Sequence, residues 1–246
     1  MRIPRIHHPA PLHEGEALLL GESASRHLLQ VLRLRPGAEL RLFDGAGGEH
    51  RATLLAREGR RARVTVGRPC PDGDACESPL KIVLAQGVSR GERMDYTLQK
   101  AVELGVSRIV PLFTRRSTVR LGGERLERRR RHWQGILVHA CEQCGRRHLP
   151  VLDPPQELES WANALPDAAL HLLLDAEADT GLARLAPPDG TILLLAGPEG
   201  GLDPRERRLL YERGFQGLRL GPRILRTETA ALAALAALQA LWGDFR

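Results

Sequence analysis

Short apolar runs, some continuous and some alternating with polar residues, follow one another over the first 70 positions of the chain. Turn-forming glycine, proline and aspartate residues separate these runs. Four of the runs predict β-strands, at 17–20, 39–43, 51–55 and 62–66. One stretch of helical period interrupts them at 25–32, with Ser25 as its predicted N-cap. Several short strands with little helix are typical of a small β-barrel, which we predict for residues 1–70.

The pattern changes after residues 71–79, whose proline, glycine and acidic residues indicate a linker. From 80 to 246, apolar runs alternate with amphipathic stretches of helical period. The predicted strands are 81–85, 108–113, 171–174, 191–195 and 217–220, and the predicted helices are 93–104, 124–144, 204–213 and 227–242. This alternation predicts an α/β domain with an open, mostly parallel sheet.

Two glycine-bearing loops follow predicted strands late in this domain. The first is Ala196-Gly197-Pro198-Glu199-Gly200-Gly201, and the second is Gly221-Pro222-Arg223-Ile224-Leu225-Arg226. Thr227 is suited to cap the helix after the second loop, and Glu228 suits its first turn. Each loop alone is also compatible with a plain strand-to-helix turn. Since ligands of open α/β sheets bind beyond the carboxyl ends of strands, we predict that both loops line one small-molecule pocket.

Other enzyme classes receive less support from the motifs. The sequence contains neither the dinucleotide pattern G-x-G-x-x-G nor the phosphate-loop pattern G-x-x-x-x-G-K-[ST]. Residues 87–91 do fit G-x-S-x-G after a predicted strand, which would make Ser89 a hydrolase nucleophile. In that fold the histidine comes after the acid, late in the chain, whereas the last histidine here is His171. A serine hydrolase using Ser89 is therefore a minor alternative.

The distribution of charge along the chain indicates a polyanionic binding partner. Residues 79–150 carry 15 basic and 6 acidic side chains, a net charge of +9, whereas the whole chain carries +6. Such clustering favours nucleic-acid binding, although the use of arginine at 34 of the 36 basic positions also fits a coding bias. The run at 128–131 is compatible with a solvated helix face and with RNA phosphate contacts.

The composition and the first residues of the sequence indicate the cellular compartment of the protein. The sequence has no run of 18 uncharged apolar residues, and its first residues lack the features of a secretory signal. We therefore expect a cytoplasmic protein without a membrane span. Cys141 and Cys144 have redox or zinc spacing, but Cys70 and Cys76 do not provide a matching pair. We expect free thiols and no metal site.

Seven stretches fall together in the order of a known family: 1–5, 26–33, 43–45, 99–106, 140–146, 197–201 and 220–230. The last of them, Leu-Gly-Pro-Arg-Ile-Leu-Arg-Thr-Glu-Thr-Ala, is highly specific, and the stretch at 197–201 is moderately so. Together they resemble the bacterial 16S ribosomal RNA uridine-N3 methyltransferases (RsmE type) of the SPOUT superfamily. The resemblance spans nearly the whole chain.

This resemblance implies a PUA-like β-barrel that helps to hold RNA over residues 1–70 and a SPOUT methyltransferase domain over residues 80–246. It also implies a C-terminal trefoil knot and a homodimer. The expected cofactor is S-adenosyl-L-methionine. The expected reaction is methylation of N3 of one uridine, at position 1498, in the 16S ribosomal RNA of the small ribosomal subunit.

The resemblance assigns cofactor contacts to the end of one strand and to both loops. The expected cofactor-binding residues are Leu173, Leu174, Gly197, Pro198, Glu199, Gly200, Gly201, Leu220, Gly221, Ile224, Leu225, Arg226, Thr227 and Thr229. The expected RNA contacts are Arg2, Arg5, His27, Arg33, Lys100, Arg115, Arg116 and Arg146.

Methylation of uracil N3 requires the loss of a proton and stabilisation of the negative charge that develops on the ring. Glu228 as base and Arg226 as cation, beside the second loop, are the predicted catalytic residues. A first-turn helix charge is the alternative interpretation of Glu228. A non-catalytic RNA-binding module with vestigial cofactor loops is the alternative for the whole protein.

Overall fold

The computed structural model describes residues 3–71, 76–117 and 122–245, and the chain divides into two compact units. The first comprises Met1–Glu77 and Cys141–Leu149, and the second comprises Ser78–Ala140 and Pro150–Arg246. The return of the chain to the first unit at residues 141–149 has no counterpart in the sequence prediction. Over the described ranges, every helix is too short or too polar to cross a lipid bilayer.

The first unit is built on a five-stranded sheet. Its elements are β1 (Arg5–His7), β2 (Ala17–Leu19), α1 (Glu22–Arg26) with a π-helical turn after it (His27–Val31), β3 (Glu39–Phe43), β4 (Glu49–Glu58) and β5 (Arg61–Pro69). The strand order is β1-β3-β4-β5-β2, and only β1 and β3 run parallel among the described pairs. Alternate residues of β5, such as Val64 and Val66, are buried, as half-buried strands require. Register shifts between β4 and β5 mark bulges that bend the sheet.

The helix of the first unit begins earlier than the sequence predicts. It starts at Glu22, after Gly21, so Ser25 lies inside it and is not an N-cap. The Ser25 hydroxyl is fully buried, donates to the carbonyl of Leu20 (3.2 Å) and accepts from the amide of Ala62 (2.9 Å). The prediction was wrong because a serine whose buried hydroxyl has a partner on a distant strand resembles a helix cap in the sequence.

Buried ion pairs fasten residues 141–149 within the first unit. The carboxylate of Glu49, 4% exposed, receives Nε of Arg5 at 2.7 Å and Nη2 of Arg147 at 2.8 Å. Glu77 receives Nε of Arg146 at 2.8 Å and also the amide of Arg147 at 2.8 Å. Because a buried charge is costly without a partner, these side chains depend on one another.

The second unit contains the remaining elements. They are β6 (Ile82–Gly87), α2 (Glu92–Glu103), β7 (Arg108–Phe113), α3 (Gly123–Cys144, whose last four residues belong to the first unit), β8 (Val151–Leu152), β9 (Gln156–Glu157), α4 (Leu158–Ala162), β10 (Leu170–Leu174), a 3₁₀ turn (Leu182–Arg184), β11 (Ile192–Ala196), α5 (Pro204–Glu212), β12 (Gln216–Leu218) and α6 (Thr227–Trp242).

The sheet of the second unit is parallel in every described pair, as the sequence predicts. Its order is β12-β10-β11-β6-β7-β8, and the short strand β9 also pairs with β7. All residues of the two central strands β6 and β11 are buried, which explains their apolar sequences. The chain extends from β6 toward one edge and from β11 toward the other. A crevice for ligands is expected at the carboxyl ends of strands where the direction changes in this way.

Candidate functional site

A cavity of about 640 Å³ opens at the carboxyl end of this parallel sheet. Its walls come from segments within 173–177, 196–202 and 218–228, with Arg93 and Arg116 at its border. Small-molecule sites typically have volumes of roughly 300–1,000 Å³. The two glycine-bearing loops therefore line one cavity, as the sequence predicts.

Thr227 links the two loops directly. Its hydroxyl donates to the carbonyl of Gly197 in the first loop and accepts from Nε2 of Gln86 at 3.0 Å. The N-cap of α6 is Arg226, whose extended backbone precedes the helix, so the prediction of Thr227 as the cap was wrong. The Thr227 side chain turns toward the first loop instead, and its hydrogen bond joins two segments 30 residues apart in the chain.

The first loop also rests on the end of β6. A Cβ atom on Gly87 would lie 2.4 Å from the backbone nitrogen of Pro198 and 2.8 Å from the carbonyl carbon of Gly197. Contacts this short do not occur in real structures, so the loop can take this position only because residue 87 is glycine.

Glu199 anchors the same loop on its other side. Its Oε1 accepts from the amide of Arg90 at 2.8 Å and lies 3.5 Å from Nη1 of Arg93. The residue lines the cavity, but its carboxylate is directed in part toward the segment after β6. Glu199 thus holds the loop in place whatever it contributes to a ligand.

Among the residues that the structure describes, the surroundings of Ser89 are not those of a hydrolase nucleophile. The residue is 4% exposed, and its hydroxyl donates to the carbonyl of Gly87 at 3.4 Å and not to a histidine. A nucleophile must be exposed and activated by a neighbouring base. Residues 87–91 therefore serve to support the first loop, and the alternative of a serine hydrolase falls.

Asp175, directly after β10, lines the cavity and is held by partners in α5. Oδ2 of Asp175 accepts from the hydroxyl of Tyr211 at 2.7 Å and lies 3.6 Å from Nη1 of Arg207. Burial and then the Asp175 hydrogen bond raise the pKa of Tyr211 to about 12, so this phenol stays a neutral donor. Asp175 accordingly keeps its position at the cavity edge.

Glu228 lies in the cavity wall in the first turn of α6. Its Oε2 is buried and lacks a hydrogen-bond partner within the described residues. A buried carboxylate oxygen without a partner is unusual and calls for a physical explanation. An acceptor of this kind in a cavity wall suits a ligand that brings its own donor.

The lining as a whole suits an amphipathic molecule. Leu173 and Leu220 supply apolar surface, the glycine-bearing loops supply backbone polar groups, and six arginine and four acidic side chains supply charge of both signs. All of the predicted cofactor-binding residues except Thr229 line the cavity, and Thr229 is exposed outside it. Both predicted catalytic residues, Arg226 and Glu228, also line it.

The predicted RNA-contact residues divide into two groups. The side chains of Arg5 and Arg146 are each 7% exposed and paired with Glu49 and Glu77, so the expectation of an RNA contact does not carry over to them. The others are accessible to different degrees. His27, Arg33 and Arg116 are exposed, Lys100 and Arg115 pair with Glu103 and Glu159, and Arg2 lies outside the described residues.

The cysteines are free thiols in the structure. Cys141 is fully buried, and burial raises the pKa of its thiol to about 12, so it stays protonated. Within the described ranges, no cluster of three or more histidine, cysteine, aspartate or glutamate side chains has the arrangement of a metal site.

Two residues that shape this site, Gln86 and Asp175, were not predicted from the sequence. A signal for Gln86 was present, since it is a polar residue within a strand that is otherwise apolar and wholly buried. Asp175 directly follows an apolar strand end, which is where ligand-binding side chains occur in parallel sheets.

Comparison with known proteins covers both units. The family model described as an RNA methyltransferase domain matches residues 76–239, and that of an RNA methyltransferase PUA domain matches residues 20–67. The chain is 31% identical over 243 residues to the ribosomal RNA small subunit methyltransferase E of Buchnera aphidicola subsp. Schizaphis graminum, covering 99% of this chain and 98% of that protein.

Two solved structures that match the full chain support the same family assignment. The ribosomal RNA small subunit methyltransferase E from Neisseria gonorrhoeae, bound to S-adenosylmethionine, has a TM-score of 0.94 at 42% identity and covers 100% of both chains. A protein of Legionella pneumophila in complex with the same cofactor has a TM-score of 0.94 at 38% identity and also covers 100% of both chains. Since these matches include both units and both loops of the cavity, the chain belongs to the RNA methyltransferase family, in the group of the ribosomal RNA small subunit methyltransferase E proteins.

Proposed function

We propose that this protein transfers the methyl group of S-adenosylmethionine to N3 of a specific uridine in the 16S ribosomal RNA of the small subunit. The observation that carries the proposal is the single cavity lined by two loops that the Thr227 hydroxyl joins. Relatives of the same family that match the full chain are ribosomal RNA methyltransferases, and two of the solved structures hold this cofactor.

When bound, S-adenosylmethionine supplies an electrophilic methyl group, which N3 takes up as the carbon–sulfur bond breaks. The protein contributes mainly by holding the reactants in line, because no covalent intermediate with a side chain is needed. Leu173, Leu174 and Leu220 would pack against the adenosyl part, and the backbone of Gly197 to Gly201 would provide polar contacts. Arg226, at the end of the second loop, and Glu228, in the first turn of α6, would face the reacting nitrogen.

Glu228 is the proposed general base. Its buried Oε2 without a partner can accept the proton that N3 loses. Arg226, exposed and in the cavity lining, is the proposed cation that stabilises the negative charge spread over the uracil oxygens. Asp175 and Glu199 are already engaged in internal hydrogen bonds and are therefore weaker candidates for this proton.

We propose that the first unit helps to hold the RNA, as its PUA family match supports. His27 and Arg33 are exposed around the π-helical turn. Arg33 has a φ of 52°, which is positive for no other non-glycine residue in the described part of the chain. Strained backbone of this kind persists where the surroundings fix it and is common at functional sites.

If exposed arginines contact RNA phosphates, the affinity for RNA should depend on the salt concentration. Raising the salt concentration from 50 to 200 mM is expected to weaken binding to small-subunit RNA at least about tenfold, because each phosphate contact releases counterions. Filter binding or fluorescence anisotropy over a salt series measures the slope. The Arg33→Ala variant should show a shallower slope than wild type, whereas Arg5→Lys, at a buried ion pair, should retain it. An affinity that hardly responds to salt would contradict the assignment.

Three further properties belong to the same proposal. We propose that the second unit carries the C-terminal trefoil knot of SPOUT enzymes, that two copies of the chain form a homodimer, and that the protein works in the cytoplasm, where ribosomal subunits assemble. The resemblance of the seven sequence stretches supports all three.

The direct test joins cofactor binding to product identity. Isothermal titration with S-adenosylmethionine should give a heat of binding at one site per chain. Mass mapping of small-subunit RNA from cells lacking the protein should show one uridine that has lost an N3 methyl group, and the purified protein should restore it. A protein that binds RNA but gives no heat with the cofactor would instead be a non-catalytic RNA-binding module.

A further inference from the structure

Gln86 occupies a position where an apolar residue would be expected. It lies in β6, all six residues of which are buried, and its own exposure is 0%. In the sheet it is paired with Ala196 of β11 on one side and with Pro111 of β7 on the other. The next residue after Ala196 is Gly197, so the first glycine-bearing loop begins beside the Gln86 side chain.

The amide group of Gln86 reaches both loops of the cavity. Its Nε2 donates to Oγ1 of Thr227 at 3.0 Å and to the carbonyl of Gly87 at 3.1 Å, with a longer contact of 3.5 Å to the carbonyl of Gly197. Thr227 in turn donates to Gly197. Since the Thr227 proton is committed to that carbonyl, its oxygen needs an outside donor, and Gln86 supplies one.

This arrangement has an energetic cost. Oε1 of Gln86 is buried and lacks a hydrogen-bond partner among the described residues. Leaving a buried polar atom unsatisfied is destabilising, and a leucine of similar size would avoid that cost. Filling space therefore does not explain the residue, whereas the link between the loops does.

We propose that Gln86 is a positioning residue of the methyl-transfer site: it acts through Thr227 to set the distance between the two loops that line the cavity. It does not line the cavity itself. The proposal rests on the proposed function for the identity of the ligand. The link between the loops stands independently of it.

Gln239 provides a matched control. It is also a fully buried glutamine of the second unit, and its amide accepts from Ser78 Oγ at 2.9 Å and donates to the carbonyl of Leu104 at 2.9 Å. It lies near the far end of α6 and is absent from the cavity lining. Gln239→Leu therefore removes a similar number of buried hydrogen bonds away from the loops.

The first measurement uses the protein without cofactor. Hydrogen exchange of the amides at 197 and 199–201 should be about tenfold faster in Gln86→Leu than in wild type, because the loop has lost a support. Gln239→Leu should leave exchange in this loop unchanged, even if its melting temperature falls as far. Equal protection of the loop in wild type and Gln86→Leu would overturn the proposal. This readout does not depend on S-adenosylmethionine binding.

The second measurement is a double-mutant cycle on S-adenosylmethionine affinity. Gln86→Leu and Thr227→Val should each weaken binding about tenfold, and Thr227→Ser, which keeps the hydroxyl, should recover most of the affinity that Thr227→Val loses. If Gln86 acts through Thr227, the double variant loses about tenfold and not about a hundredfold, because the second change removes a link already broken.

Additive losses in that cycle, or an equal loss in Gln239→Leu, would show a general effect on stability and would overturn the proposal. Should Gln86→Leu fail to fold, Thr227→Val and Thr227→Ser compared by hydrogen exchange carry the same test from the other side of the link. A wild-type protein that does not bind the cofactor would refute the proposed function instead, and the exchange experiment would still decide on Gln86.

Discussion

Replacing Gly87 with alanine is expected to weaken S-adenosylmethionine binding by about a hundredfold. The new Cβ would lie 2.4 Å from the nitrogen and 2.6 Å from Cδ of Pro198, and 2.8 Å from the carbonyl carbon of Gly197. These atoms belong to backbone or to a closed ring, so they cannot move aside as a flexible side chain does. Overpacking of this kind costs about 1–3 kcal/mol. Because the clash displaces the loop from the cavity wall, cofactor binding loses a similar amount of free energy.

Isothermal titration of Gly87→Ala and wild type measures this loss, and circular dichroism checks that both are folded. Gly135→Ala is the matched control, because a Cβ at this position in α3 would meet nothing within 4 Å. Alanine stabilises a helix interior by up to about 1 kcal/mol relative to glycine, so the control should bind the cofactor normally and melt no earlier than wild type. Wild-type affinity in Gly87→Ala would contradict the close approach of loop and strand.

The same close approach shows which parts of the site the sequence can predict. The two loops were recognisable because each follows an apolar run and carries glycine or proline, and these are local properties. The helix after the second loop was predicted at 227–242, and α6 spans Thr227–Trp242. That the loops meet was an inference from the rule for parallel sheets, and the structure confirms it.

What the sequence did not reveal depends on contacts between distant positions. Thr227 has the right chemistry for a helix cap, yet its partner is Gly197, 30 residues earlier in the chain. Arg5 and Arg146 are basic and lie in motif stretches, but carboxylates of the first unit neutralise them. A charge in a sequence does not show whether it faces solvent or an internal partner. Glycine at 87 fitted a hydrolase motif, and only the neighbouring Pro198 explains it.

The Glu228→Gln variant is expected to lower the single-turnover rate of methyl transfer about a hundredfold or more, with S-adenosylmethionine affinity near that of wild type. General-base catalysis typically contributes about 10²- to 10⁴-fold, and glutamine cannot accept the proton from N3. The affinity for S-adenosylmethionine should stay the same because glutamine keeps the shape of the side chain in the cavity wall. The carboxylate that the substitution removes is needed only when N3 is deprotonated. Rapid-quench assays with excess enzyme measure the rate, and titration measures the affinity.

Glu228 also lies in the first turn of α6, where a carboxylate stabilises the helix by interacting with the positive end of its dipole. Removing the charge of Glu228 is therefore also expected to lower the stability of the protein. Glu124→Gln controls for this, because it removes an exposed first-turn carboxylate from α3. Both variants should lose a similar small amount of stability, of about 0.3–1 kcal/mol, but only Glu228→Gln should lose the reaction. If the two variants react equally fast, or if cofactor binding in Glu228→Gln collapses with the rate, the buried oxygen of Glu228 serves the fold or the cofactor, and another group must take the proton.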